Sequence, residues 1–99
     1  MRVMIRYKLK PDQVERNLKL LSAAYEEMNA LRPPGLKHVS YQLDDKVTFV
    51  DFVETEGRGA GPLATLPAFG LFRATLDARC VEPPRLIELH DAGSYDGFA

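Results

Sequence analysis

Residues 32–36 read Arg32-Pro33-Pro34-Gly35-Leu36, and the chain repeats the figure at Glu82-Pro83-Pro84-Arg85-Leu86. Proline fixes φ and has no amide donor, so a proline pair stops a helix and turns the chain. Each figure follows a segment with helical spacing and precedes a run that reads as strand. The chain therefore divides into two halves, each of strand, helix, double-proline elbow and strand.

Working outward, Val3, Ile5, Tyr7 and Leu9 alternate with Arg2, Met4, Arg6 and Lys8, the period of a strand with one apolar face. Pro11 stops it, and Asp12 with Glu15 forms a capping-box-like helix start. Val14, Leu18, Leu21, Tyr25 and Met28 then make a helical stripe that ends before Arg32. Leu36–Leu43 and Val47–Glu54 read as a hairpin around Asp44-Asp45-Lys46. After the loop Gly57–Pro62, a second helix is predicted from Pro67 to about Arg79, with Leu66, Phe69, Phe72 and Leu76 as its stripe. Gly70 inside it suggests close packing. Pro83-Pro84 ends that element, and Leu86–His90 is the last strand. Two such split β-α-β halves make an α+β, ferredoxin-like βαββαβ sandwich. Right-handed crossovers place both helices on one face of a four-stranded antiparallel sheet in order 4-1-3-2.

Composition agrees. The chain has 99 residues, room for a single domain spanning 1–99, and is 45% hydrophobic and 27% charged, an ordinary globular mixture. Thirteen basic and fourteen acidic side chains give a net charge of −1 with no basic run, so no nucleic-acid partner is expected. The alternating N-terminus is a strand pattern and not a signal peptide, and no apolar stretch approaches the ~20 residues of a membrane span. The expectation is a soluble, cytoplasmic protein with no membrane partner. Cys80 is the only cysteine, which excludes an internal disulfide and multi-cysteine zinc sites.

With both helices on one side, the sheet's other side must meet water or a partner. Val3, Ile5, Tyr7, Leu9, Ile87 and Leu89 suit the helices, leaving Arg6 and Glu88 as a cross-strand pair on the open face. A two-residue hairpin loop would pair Tyr41 with Thr48; a three-residue loop would pair Tyr41 with Phe49 and Leu43 with Val47. The second matches apolar with apolar and is preferred. It turns Asp51 towards the helices and leaves His38, Val50, Phe52, Met4 and Leu86 as an apolar patch, suited to a sheet-to-sheet dimer.

Phe49-Val50-Asp51-Phe52-Val53-Glu54 and Leu66-Pro67-Ala68-Phe69-Gly70-Leu71-Phe72, in this order of elements over nearly the whole chain, resemble the dimeric α+β barrel superfamily and within it the antibiotic-biosynthesis-monooxygenase-like proteins. The resemblance implies a homodimer through the open sheet faces and a small-molecule ligand between sheet and helices. It also implies cofactor-independent oxygenation of an aromatic or polyketide-like substrate, with no cofactor. Haem degradation, known in another branch, is disfavoured: there is no tryptophan, and Leu63-Ala64-Thr65 stands where a histidine is frequent. The alternative is a non-catalytic ligand-binding or interaction domain of the same fold.

Tyr7 and Asp51 are the candidate catalytic pair. A carboxylate on an apolar face has a raised pKa and can take a proton from a phenol or carbon acid, with a tyrosine positioning the oxygen. The plain reading is an Asp51 that lies on the other face or reaches solvent at the strand's end. Tyr25, Tyr41, Phe69 and Phe72 are candidates for an aromatic ligand pocket, though aromatics at helical spacing are more often core. Arg73 could meet an anionic ligand or simply be solvated. His38 and His90 have no partner at metal spacing, so no metal is expected. Cys80 is read as an inert thiol. The glycine-rich loop 57–61 matches no phosphate-binding motif and reads as a linker or lid. Tyr95 and Phe98 are expected to pack at the dimer edge.

Overall fold

The computed structural model describes residues 1–97, so the expectation for Phe98 lies outside the described residues. Strand β1 spans Arg2–Leu9, helix α1 Val14–Leu31, β2 Leu36–Gln42, β3 Thr48–Thr55, helices α2 Pro67–Ala74 and α3 Leu76–Arg79, and β4 Cys80–Glu88. The sheet is antiparallel in order β2-β3-β1-β4, the expected order read from its other edge. Leu20 and Leu21 of α1, Phe72 of α2 and Leu76 of α3 pack on Tyr7, Leu9 and Phe49, so the helices cover one face. A neighbouring cluster of Val3, Ala24, Met28, Val53, Leu63 and Leu66 continues the core.

The helix starts and faces differ from the sequence reading. A 3-10 turn at Pro11–Gln13 precedes α1, and no side chain caps either, so the Asp12/Glu15 box does not form. The buried stripe of α1 is Asn17, Leu20, Leu21, Ala24 and Met28. Leu18 lies one residue, about 100°, off its centre and is 41% exposed. The helix ends where expected: Arg32 takes a left-handed conformation and its N–H bonds to Met28 O at 2.7 Å. The second helical segment breaks at Thr75 into α2 and α3. Gly70 has open space where a Cβ would be, so close packing is not its reason.

The two double prolines are not equivalent. Pro33-Pro34 forms the elbow after α1, closed by Gly35 at φ 73°. Pro83-Pro84 lies inside β4. An edge strand needs only one side of its backbone to pair, and prolines fit where no ladder bond is donated. The register slips there, with Arg85 opposite Arg6 and Glu82 opposite Lys8. Ile87 consequently stands opposite Met4 on the open face, Glu88 opposite Val3, and the expected Arg6–Glu88 pair is replaced by Arg6 with Glu82 at 3.9 Å.

The hairpin adopts neither weighed register. Leu43 N–H bonds to Thr48 O across a loop of residues 44–47, and Tyr41 pairs with Val50. The Asp45 carboxylate fixes this wider turn by accepting from the amides of Val47 (3.0 Å) and Thr48 (2.8 Å), while Lys46 takes φ 67°. One residue of slip turns every β2 side chain over. His38 and Ser40 therefore face the helices, and Val39 and Tyr41 join Met4, Val50, Phe52 and Ile87 on the open face. Tyr95 is 96% exposed in this single chain.

Candidate functional site

Asp51 faces the helices, as expected, because β3 takes its phase from β1: Ile5 is opposite Asp51 and Tyr7 opposite Phe49. The carboxyl is 3% exposed and its Oδ1 has no hydrogen-bond partner among the described residues. Burial pushes its pKa up to about 6, and a hydrogen bond with Ser40 pulls it part of the way back. Ser40 is its cross-strand partner.

From Ser40 the polar groups continue outward. The Tyr25 hydroxyl lies 2.7 Å from Ser40 Oγ and 2.6 Å from His38 Nδ1. The His38 ring is edge-on to Tyr25 (5.4 Å) and to Phe69 (5.8 Å). Burial lowers the His38 pKa to about 4, so the imidazole is neutral at physiological pH. Burial likewise raises the Tyr25 phenol well above its ordinary range. Beside this cluster opens a crevice of about 270 Å³ lined by Tyr25, Met28, Asn29, Arg32, Pro33, Leu36 and His38. Met28, Pro33 and Leu36 line it beside the polar Tyr25, Asn29 and His38, and it carries one cation, Arg32. This is room for one or two fused rings.

Tyr7 serves the core instead. Its ring stacks on Phe49 at 5.5 Å and tilts against Phe72 at 6.3 Å, and its hydroxyl accepts from Asn17 Nδ2 at 3.1 Å. Burial first, and the charge of Asp51 second, hold its phenol far above the ordinary range. Phe72 is buried core and Phe69 bridges both core clusters. Tyr41 stands on the opposite face, edge-on to Phe52 at 6.0 Å, and so is corrected out of the helix-side pocket. Arg73 is exposed and pairs with Asp77 at 3.1 Å. Burial raises the Cys80 thiol, which keeps it protonated.

Of the predicted residues, the structure thus brings together Asp51, Tyr25 and Phe69. His38 and Ser40 were missed as members because the preferred hairpin register pointed His38 away. Asp45 followed by Val47-Thr48 was the available signal for the correct turn. A second, larger crevice of about 620 Å³ lies at the end of the sheet between Arg2, Lys37, Glu54, Glu56 and Asp91. Its charges answer one another, Arg2 bonding Glu54 and Asp91, so it offers a ligand little unspent polarity. Among the described residues no three His, Cys, Asp or Glu side chains gather as a metal site. No described helix is long and apolar enough to cross a membrane.

Solved structures share this fold. A crystal structure of an antibiotic biosynthesis monooxygenase matches with a TM-score of 0.72 at 16% identity, over 93% of this chain and 98% of that one. Rv0793 from Mycobacterium tuberculosis matches at 0.68 and 20% identity, over 93% and 97%. A variant of SnoaB, a cofactor-independent oxygenase from Streptomyces nogalater, matches at 0.64 and 15% identity, over 92% and 93%. The resemblance read from the sequence holds at the level of the fold. No family model matches the chain, and no match to a curated protein reaches significance.

Proposed function

We propose that this chain binds a small aromatic or polyketide-like molecule in the crevice beside His38. As a cofactor-independent oxygenase, it would remove a proton from that molecule so that the resulting anion reacts with dioxygen. Asp51 is the proton acceptor in this reading. The observation that carries it is a carboxyl buried without a partner for Oδ1, at the inner end of the Ser40–Tyr25–His38 cluster. Unsatisfied buried carboxylates cost stability and need a reason to be kept. Oxygenation of an electron-rich phenol by dioxygen needs the phenolate or carbanion, and a base with a pKa near 6 suits that step. The shared fold with SnoaB supports the reading without assigning a substrate.

The same reading includes a cytoplasmic homodimer. The open face carries Val39, Tyr41, Val50, Phe52 and Ile87 among Arg2, Arg6 and Lys37, an apolar centre with a charged rim. A second reading, a non-catalytic binding domain, is favoured by one observation: Tyr7, Phe49 and Phe72 fill the space between sheet and helices where a substrate cavity was expected.

Oxygen uptake with a panel of naphthols and anthrones, followed by electrode, separates the two. Uptake that falls about 10²-fold or more in Asp51→Asn, with the assembly unchanged, supports the oxygenase. Turnover unchanged in the variant removes Asp51 from the reaction, and no uptake with any phenol favours the binding domain.

A further inference from the structure

Asp51 lines neither crevice. A molecule beside His38 cannot pass it a proton by contact, yet polar side chains bridge the gap. Ser40 stands directly opposite Asp51 on the neighbouring strand and moderates the rise of its pKa. Tyr25 Oη is 2.7 Å from Ser40 Oγ and 2.6 Å from His38 Nδ1. His38 itself lines the crevice, and its Nε2 has no protein partner among the described residues. We propose that His38, Tyr25 and Ser40 form a proton relay from the crevice to Asp51, with His38 Nε2 as the port for a weakly acidic phenol or enol. The ligand class rests on the function proposed above; the relay does not.

The step balances. The ligand O–H gives its proton to His38 Nε2 and becomes an oxyanion. The Nδ1 proton passes to Tyr25 Oη, the Tyr25 proton to Ser40 Oγ, and the Ser40 proton to the Asp51 carboxylate. Tyr25 and Ser40 end with the hydrogens they began with, in number. His38 ends as the other neutral tautomer, and the negative charge has moved from Asp51 to the ligand beside Arg32. Return of a proton through His38 resets the chain.

The electrostatics fit storage at the inner end. Burial holds His38 at about 4 and lifts Asp51 to about 6, so the proton rests on the carboxyl and the imidazole only passes it. The other titratable or charged groups facing the pair are Tyr7 from β1, kept protonated by burial, and Arg32 at the rim. Helix α2 contributes the Phe69 ring. The chain has two histidines, so His38 is assignable against His90.

The test is nitrogen-15 NMR of the imidazoles of the full chain between about pH 5 and pH 8, with His38→Gln for assignment. The expected result is a neutral His38 that switches from the Nδ1–H tautomer at high pH to Nε2–H as Asp51 takes up its proton at about 6. Asp51→Asn should abolish the switch. Ser40→Ala, a smaller change to the packing, should uncouple His38 from Asp51 in the same way. A wild-type tautomer that is constant with pH, or a switch that survives Ser40→Ala, overturns the relay. Absence of oxygen uptake would sink the oxygenase reading while leaving this switch intact, so the two failures are distinguishable.

Discussion

Asp51 and His38 answer folding with opposite signs. Burial lifts Asp51 to about 6, so between about pH 4 and that value the folded chain keeps a proton that the unfolded chain releases. Its contribution to stability is full below the ordinary carboxylate value and is lost as pH rises through about 6. His38 is lowered to about 4, so the unfolded chain binds a proton, below its ordinary value near 6.5, that the folded chain refuses. That contribution is full above about pH 6.5 and is lost as pH falls towards 4. Each shift corresponds to about 3 kcal/mol at most, and the windows overlap, so the wild-type profile should be nearly flat there. Asp51→Asn removes only the first. Its stability should climb by roughly 2–3 kcal/mol from pH 4 to pH 6.5 and match or exceed wild type above that. Urea unfolding at several pH values measures this, and a variant profile parallel to that of the wild type would refute the buried carboxyl's role.

At the scale of elements, two polar side chains decide how pieces meet. Asp45 holds the β2–β3 turn through the amides of Val47 and Thr48. Asp45→Ala should loosen the turn and speed amide exchange at those two residues; exchange unchanged at both would show the turn is set elsewhere. Asn17 joins three elements. Its Nδ2 donates to Tyr7 of β1, and its Oδ1 accepts from Arg79 Nε and Nη2 at 3.2 and 3.1 Å. Arg79 is 4% exposed and its other acceptors are Thr75 and the Phe72 carbonyl, so this buried cation has only neutral partners among the described residues. Its guanidinium also lies over the Phe72 ring at 5.4 Å. Asn17→Ala leaves that cation short of an acceptor and should cost roughly 2–4 kcal/mol, with Asn17→Asp less damaging. A melting temperature unchanged by Asn17→Ala would remove the network from the fold's supports.

The legibility of these features follows their range. Element identity was readable because strand and helix periods are local. The stripe of α1 was misplaced by one position because Leu18 is as apolar as Leu21, and only the sheet beneath says which is inside. Pro83-Pro84 was read as an elbow on good local chemistry; an edge position, a property of the whole sheet, let both prolines stay in β4. Asp51 was legible as a buried carboxyl. Its partners were not, because they depended on one residue of turn length.

For the whole molecule, the open sheet face is the feature a single chain leaves unanswered. Phe52, 38% exposed, and Tyr41 pack edge-on at the centre of a patch with Val39, Val50 and Ile87. Burying such a patch against its twin would contribute about 25 cal/mol per Å² before the costs of association. Phe52→Arg should therefore shift the sedimentation mass from dimer to monomer with an unchanged circular dichroism spectrum. A wild-type chain that sediments as a monomer would refute the dimer.

By itself the sequence determined the order of elements, the α+β class and the sheet order, since hydrophobic period and crossover handedness leave few topologies open. It also placed Tyr7 on the helix side, because β1 declares its phase by alternation, whereas Asp51 was placed there through a hairpin register that the structure replaces. Only the tertiary structure decided the phase of β2. Its polar residues His38, Ser40 and Gln42 turn to the helix side and its apolar Val39 and Tyr41 to the open face, the reverse of what apolar matching favours. The Asp45 turn and the pairing with β3 overruled it, and in turning β2 over they brought His38 and Ser40 to Asp51.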